Sequence, residues 1–257
     1  MHAPLGWLHV CLPVDDIARA KEFYERLTFR QVDGNVSEGW AIMHHGTTEF
    51  ALFTAEHCTE VTLNFRGGDI GEIVRRLGEQ EIAIEKGPHL GEDGTGAGSA
   101  NIRDPEGNAI FFDTTPEERR HFLSGARLSV GEDDGSLKEG QLLLGNHTYC
   151  LDVVDIRRAV GFYEKLGLKQ MGGDISQNWA IVGDDYQHLS LFQGIIDLHM
   201  LNFRGGDVFA IAAELKKRGF ELTKDAARAD DGSEFAEFKD PDDRVIYFNT
   251  FPAERLY

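Results

Sequence analysis

The chain has 257 residues, 41% of them hydrophobic and 27% charged, which supplies a full core for one or two globular domains. Its formal net charge of −18 repels phosphate backbones, so nucleic acid is not expected as a partner. No apolar run approaches the ~20 residues that span a bilayer, and the first residues lack the basic start and long apolar stretch of a secretory signal, so a cytoplasmic chain without a membrane partner is expected.

In chain order, residues 10–14 are short and apolar, as a buried strand should be. Asp15 or Asp16 then caps a helix whose Ile17, Ala20, Phe23, Tyr24 and Leu27 recur at helical spacing. Residues 40–43 and 50–53 read as strands, and residues 61–66 alternate before Gly67-Gly68. Asp69 caps a second helix with Ile70, Ile73, Val74 and Leu77 on one face. Residues 87–99 form a glycine-rich segment without the Gly-Lys-Ser/Thr of a phosphate loop, and read as a mobile loop over a binding site. The turn Asp104-Pro105-Glu106-Gly107 leads into a last strand over residues 108–114.

The same pattern then recurs. HVCLPVDDIARAKEFYERL from His9 matches TYCLDVVDIRRAVGFYEKL from Thr148, an offset of 139. WAI recurs at Trp40 and Trp179, and LNFRGGD at Leu63 and Leu201. DPEGNAIFFDTTPEER from Asp104 recurs as DPDDRVIYFNTFPAER from Asp240, an offset of 136. The order is preserved and the offset drifts by three residues, so the chain is a tandem duplication. The second copy repeats the helices through Ile156, Ala159, Tyr163 and Leu166, and through Val208, Ile211, Ala212 and Leu215. Residues 121–140 are polar and acidic, and read as the linker between a first module, 1–120, and a second, 141–257.

Cys11, Cys58 and Cys150 are odd in number and form no CxxC pair, which points to reduced thiols and to neither a disulfide framework nor a zinc knuckle. His44-His45 and His89 are expected at the surface, and Trp40 and Trp179 in the core.

The DDI…FYE helix, the FRGGD turn and the DPxG…I-x-F ending together resemble the vicinal-oxygen-chelate superfamily, which includes glyoxalases, bleomycin-resistance proteins and extradiol dioxygenases. The resemblance covers nearly the whole chain outside the linker. It implies an α+β fold of two tandem βαβββ modules, whose curved mixed sheets pair about a pseudo-twofold axis around a cavity. It also implies a divalent metal (Fe, Mn, Ni or Zn) held by one residue from each of four strands. Carried onto this chain, those positions are His9 and Thr148, Leu52 and Leu191, Thr62 and Met200, and Phe111 and Tyr247. A catalytic divalent metal requires three or four N/O ligands. The pattern mostly fails to provide them, so no cofactor is expected, and a divalent metal is the alternative.

If His9 points inward, strand alternation places Cys11, Asn64, Arg66, Phe111 and Asp113 on the same face, with Asp113 available to Arg66. The second copy offers Thr148, Asn202, Arg204 and Tyr247. Such a lining suits a small organic ligand. The first functional reading is a metal-free small-molecule binder of the bleomycin-resistance kind. The alternatives are a metal-dependent glyoxalase- or dioxygenase-like enzyme, and a metal-independent enzyme with His9 as acid/base. A homodimer is the one protein partner left open.

Overall fold

The computed structural model describes residues 4–92, 94–125 and 142–256. The first copy runs β1 (Gly6–Val14), α1 (Ile17–Arg26), β2 (Arg30–Asn35), β3 (Trp40–His45), β4 (Thr48–Thr54) and β5 (Thr62–Gly67). It continues through α2 (Ile70–Glu79), β6 (Lys86–Leu90), β7 (Gly98–Arg103), β8 (Ala109–Thr114) and α3 (Pro116–Leu123). The second copy repeats this as β9 (Gly145–Asp152), α4 (Ile156–Leu166), β10 (Lys169–Asp174), β11 (Trp179–Gly183), β12 (His188–Phe192) and β13 (Met200–Gly205). Then come α5 (Val208–Lys217), β14 (Leu222–Arg228), β15 (Glu234–Lys239) and β16 (Val245–Thr250). Where the first copy has α3, the second has a single 3-10 turn, Pro252–Glu254.

The architecture is α+β with two eight-stranded mixed sheets, ordered β2-β3-β4-β1-β5-β8-β7-β6 and β10-β11-β12-β9-β13-β16-β15-β14. The orders are identical once the repeat is allowed for, so the duplication seen in the sequence is a duplication of topology. In each copy the strand–helix–three-strand unit occurs twice. No helix among the described residues is long and apolar enough to cross a membrane.

Helix starts follow from aspartates. Asp16 accepts from the backbone N–H groups of Ala18 and Arg19, and Asp155 accepts from those of Arg157 and Arg158. Asp69 and Asp207 do the same for α2 and α5. Each satisfies donors that a helix N-terminus leaves open. The FRGGD glycines serve strand approach. A Cβ on Gly68 would meet the Leu5 carbonyl oxygen at 2.2 Å, and one on Gly206 the Leu143 oxygen at 2.4 Å.

Three expectations are corrected. Residues 87–99 contain β6 and the start of β7, which pair as antiparallel strands, so this segment is largely a hairpin. His44 and His45 are buried: the ring Nε2 of His44 bonds the Gly46 carbonyl at 2.7 Å, and His45 Nδ1 bonds Thr28. Trp40 and Trp179 are half-buried, and the tryptophan that enters the core is Trp7, edge-on to Phe122 at 4.8 Å. His89 is exposed as expected. Of the linker segment, residues 121–123 close α3, and residues 126–140 lie outside the described residues.

By its contacts the chain divides into two compact units, and neither is a contiguous half. One comprises residues 1–12, 58–129 and 151–197; the other comprises 13–57, 130–150 and 198–257. Within the first, Tyr163 Oη of α4 donates to Asp104 Oδ2 at 3.0 Å. Within the second, Tyr24 Oη of α1 donates to Asp240 Oδ2 at 2.9 Å. Asp104 and Asp240 each also accept from two backbone N–H groups of their own Asp-Pro turn. Each copy therefore lends its first helix to the other copy's final turn.

Candidate functional site

Strand register decides which candidate residues share a face. In the first copy His9 lies opposite Asn64, Asn64 beside Phe111, and Phe111 opposite Asn101. One row along, Trp7, Arg66, Asp113 and Ser99 align in the same way. The alternate residues form the other face: Val10, Leu12, Leu63, Phe65, Ile110 and Phe112 are all fully buried in the core, with α2 contributing Ile70, Ile73 and Leu77. Burying that face fixes the parity of all three strands, since a slip of one residue would exchange the faces.

The second copy repeats the rows. Thr148 faces Asn202, which lies beside Tyr247, while Arg204 lies beside Asn249. His147 pairs with Phe203 and packs on its ring at 5.2 Å, so it belongs to the opposite face from Thr148.

The electrostatics differ between the rows. His9 is 2% exposed, and burial, with Arg66 adding to it, lowers its pKa to about 3. Its imidazole is therefore neutral across the physiological range, suited to hydrogen bonding more than to proton transfer at pH 7. Burial, with Cys58 adding to it, pushes the Cys11 thiol up to about 12, which makes it an inert thiol. Asn64 interacts with that thiol, while its Oδ1 is buried without a hydrogen-bond partner. Asn202 Oδ1 and Asn249 Oδ1 are in the same condition in the second copy.

Arg66 is ion-paired with Glu118 of α3, in place of the Asp113 partnership that alternation suggested. Glu118 also accepts from the Thr115 backbone N–H at 2.8 Å within the α3 capping box. Arg204 pairs in the same way with Glu254. Burial raises the Asp113 carboxyl above its ordinary value; Arg66 opposes that shift and Glu118 adds to it. Burial likewise raises the Tyr247 phenol, with Glu237 adding to the effect.

Sequence reasoning missed Glu118, Glu254, Asn101 and Ser99. The first two were available, because PEER and PAER align at the same offset of 136 as the strands before them. The last two lie on β7, a strand that was not anticipated.

The residues do not fit a metal centre of the superfamily's kind. The central rows read His9–Asn64–Phe111 and Thr148–Asn202–Tyr247, with no carboxylate in either. Of the other two expected ligand positions, Leu52 and Leu191 are wholly buried, and Thr62 and Met200 lie one row along, opposite Cys11 and Cys150. Among the described residues no three or more His, Cys, Asp or Glu side chains come together to hold an ion.

The sequence profile of the Glyoxalase/Bleomycin resistance protein/Dioxygenase superfamily matches residues 6–112. The fold of the whole chain is similar to that of an Mn(II)-bound glyoxalase from Novosphingobium aromaticivorans, with a TM-score of 0.67 and 14% identity over 97% of this chain and 83% of that one. It is also similar to a catechol 2,3-dioxygenase, with a TM-score of 0.63 and 15% identity over 99% and 92% of the two chains. A homoprotocatechuate 2,3-dioxygenase from Arthrobacter globiformis gives a TM-score of 0.62 and 15% identity over 97% and 81%. No curated protein matches the sequence. The first copy thus carries the superfamily's sequence signature, and the complete chain, a tandem duplication, shares the fold of these solved proteins.

Proposed function

We propose that the chain binds a small organic ligand on the rows around His9 and Asn64, and on those around Thr148 and Asn202, without a structural or catalytic metal. The observation that carries this reading is the central row itself. Where a metal enzyme of this fold would need convergent donors, it presents a neutral imidazole, an amide and a phenyl ring. Such a row cannot polarise a bound oxygen as a divalent ion does, but it offers a ring surface with hydrogen-bonding groups beside it. The unpartnered Asn64 Oδ1 argues for a ligand as well, because a desolvated acceptor costs free energy until a donor meets it.

The similar solved proteins include an Mn(II)-bound glyoxalase and extradiol dioxygenases, so metal content is the deciding measurement. Protein purified without chelators is expected to carry only trace Fe, Mn, Ni and Zn by elemental analysis. Ligands found in a fragment screen should bind equally well with and without EDTA. About one tightly held ion per chain, or binding abolished by EDTA, would overturn the reading.

A further inference from the structure

The first face presents a carboxylate that its own module leaves without a counter-ion. Asp113 aligns with Arg66 on one side and Ser99 on the other. The Arg66 guanidinium is taken by Glu118. Asp113 itself has neither a hydrogen bond nor an ion pair among the described residues. The three charges sum to one negative, so the outer row is an anionic patch despite its arginine.

Two residues before Asp113 on β8, and on the same face, stands Phe111, about 7 Å away by strand geometry. Beside Phe111 lies Asn64, whose buried Oδ1 has no partner. Two unsatisfied acceptors, Asn64 Oδ1 and the Asp113 carboxylate, stand beside the Phe111 ring on this face, and the one unpartnered donor near them among the described residues is the buried Nε of Arg66. What completes such a set is a donor, and beside a carboxylate the best donor is a positively charged one. A cation next to a phenyl ring gains further from the ring's electron-rich face. An anionic ligand would meet the Asp113 carboxylate, while the charge of the Arg66 guanidinium is already balanced by Glu118.

The second face differs in charge at this point and opposite Tyr247, where Glu237, paired with Lys224, stands in place of Asn101. Arg204 is taken by Glu254 as Arg66 is by Glu118, but the residue aligned with Asp113 is Asn249. We propose that the first face selects a ligand with a protonated nitrogen next to an aromatic or apolar body, using Asp113 as counter-ion, Phe111 as packing surface and Asn64 Oδ1 as second acceptor. The second face, neutral at Asn249, has no such preference. This rests on the binding reading above.

The test uses the full-length protein and three probes of one shape: benzylamine, benzyl alcohol and benzoate, followed by calorimetry and ligand-observed NMR at pH 7. The protonated amine should bind at least about tenfold more tightly than the alcohol, as a desolvated charge pair allows. Asp113→Asn should remove that preference and leave alcohol binding in place. Asn249→Asp should create a second amine site, read as doubled stoichiometry. Glu118→Gln, which releases Arg66, should move the preference toward benzoate, and it serves if Asp113→Asn fails to fold. Alcohol or benzoate binding as tightly as the amine, or an amine preference that survives Asp113→Asn, overturns the charge selection and leaves the binding reading standing. Failure of every probe to bind overturns both.

Discussion

Asn64 and Asn202 occupy positions where folding loses free energy. Each amide oxygen is buried without a hydrogen bond, at equivalent places in two copies. Such a group costs about 1–3 kcal/mol, whereas an apolar replacement of similar shape is close to neutral. Asn64→Leu is therefore expected to leave stability unchanged or to raise it by about 1 kcal/mol in urea unfolding, while abolishing binding at the first face. A loss above about 2 kcal/mol would show that the amide is a structural tie. His9 gives a prediction in pH. Its folded pKa is depressed to about 3 from 6.5, so the unfolded chain takes up its proton first. Its contribution is present above pH 6.5 and is lost as pH falls toward 3. His9→Gln should flatten the acid limb of the stability profile relative to the wild type. Superimposed profiles would mean that the ring is solvated.

At the scale of elements, the legible parts were those with one buried face or an explicit stop signal. The alternation of residues 61–66 and the Asp caps led to β5 and to α1, α2, α4 and α5, and alternation also placed Asn64, Arg66, Phe111 and Asp113 on one face. β2 and β6 escaped for a physical reason: neither contains a fully buried residue, and β6 is exposed throughout. Both are sheet-edge strands, and a strand solvated on both faces has no period to detect. The charge pairing was missed because Glu118 comes from α3, a different element from the strand that carries Arg66. His44 and His45 were misjudged because nothing local reveals that Thr28 closes over the second ring. The starts of β1 and β9 are equally intolerant of a side chain, and β9 serves as the test. Gly145 has φ +102, and a Cβ there would lie 2.2 Å from the Arg204 carbonyl oxygen. Gly145→Ala should therefore cost about 2–3 kcal/mol or more in chemical denaturation. Asp155→Ala, which removes only the α4 cap, should cost about 1 kcal/mol. Equal losses for the two would refute the backbone-contact account.

For the whole molecule, the decisive feature is that each compact unit draws on both copies. Tyr24 and Tyr163 are fully buried, and each phenol donates to an aspartate that organises a turn in the other copy. A first copy expressed alone would leave Asp104 without its phenol and Tyr24 without its acceptor. It would also expose the apolar surface that α1 and α2 bury against the second copy's elements, where Phe23 meets Phe220 at 5.2 Å and the Arg76 side chain meets the Leu166 carbonyl. Residues 1–125 should accordingly aggregate or self-associate, and mixing them with residues 126–257 should restore cooperative unfolding. A soluble, monomeric, cooperatively folding first copy would show that the reciprocal contacts are dispensable. The same tyrosines give the intact chain an alkaline limit. Burial, with the adjacent aspartate adding to it, raises both phenols well above 10, so the folded state holds protons that the unfolded chain releases near pH 10. A raised pKa contributes stability that is present below the unfolded value and is lost as pH rises beyond it. Stability should hold between about pH 7 and 9 and fall steeply above about pH 10, the ordinary tyrosine value. The double change Tyr24→Phe and Tyr163→Phe should be less stable at neutral pH by about 1–2 kcal/mol for each lost hydrogen bond, yet show a shallower alkaline slope. A slope as steep as that of the wild type would place the alkaline sensitivity elsewhere in the molecule.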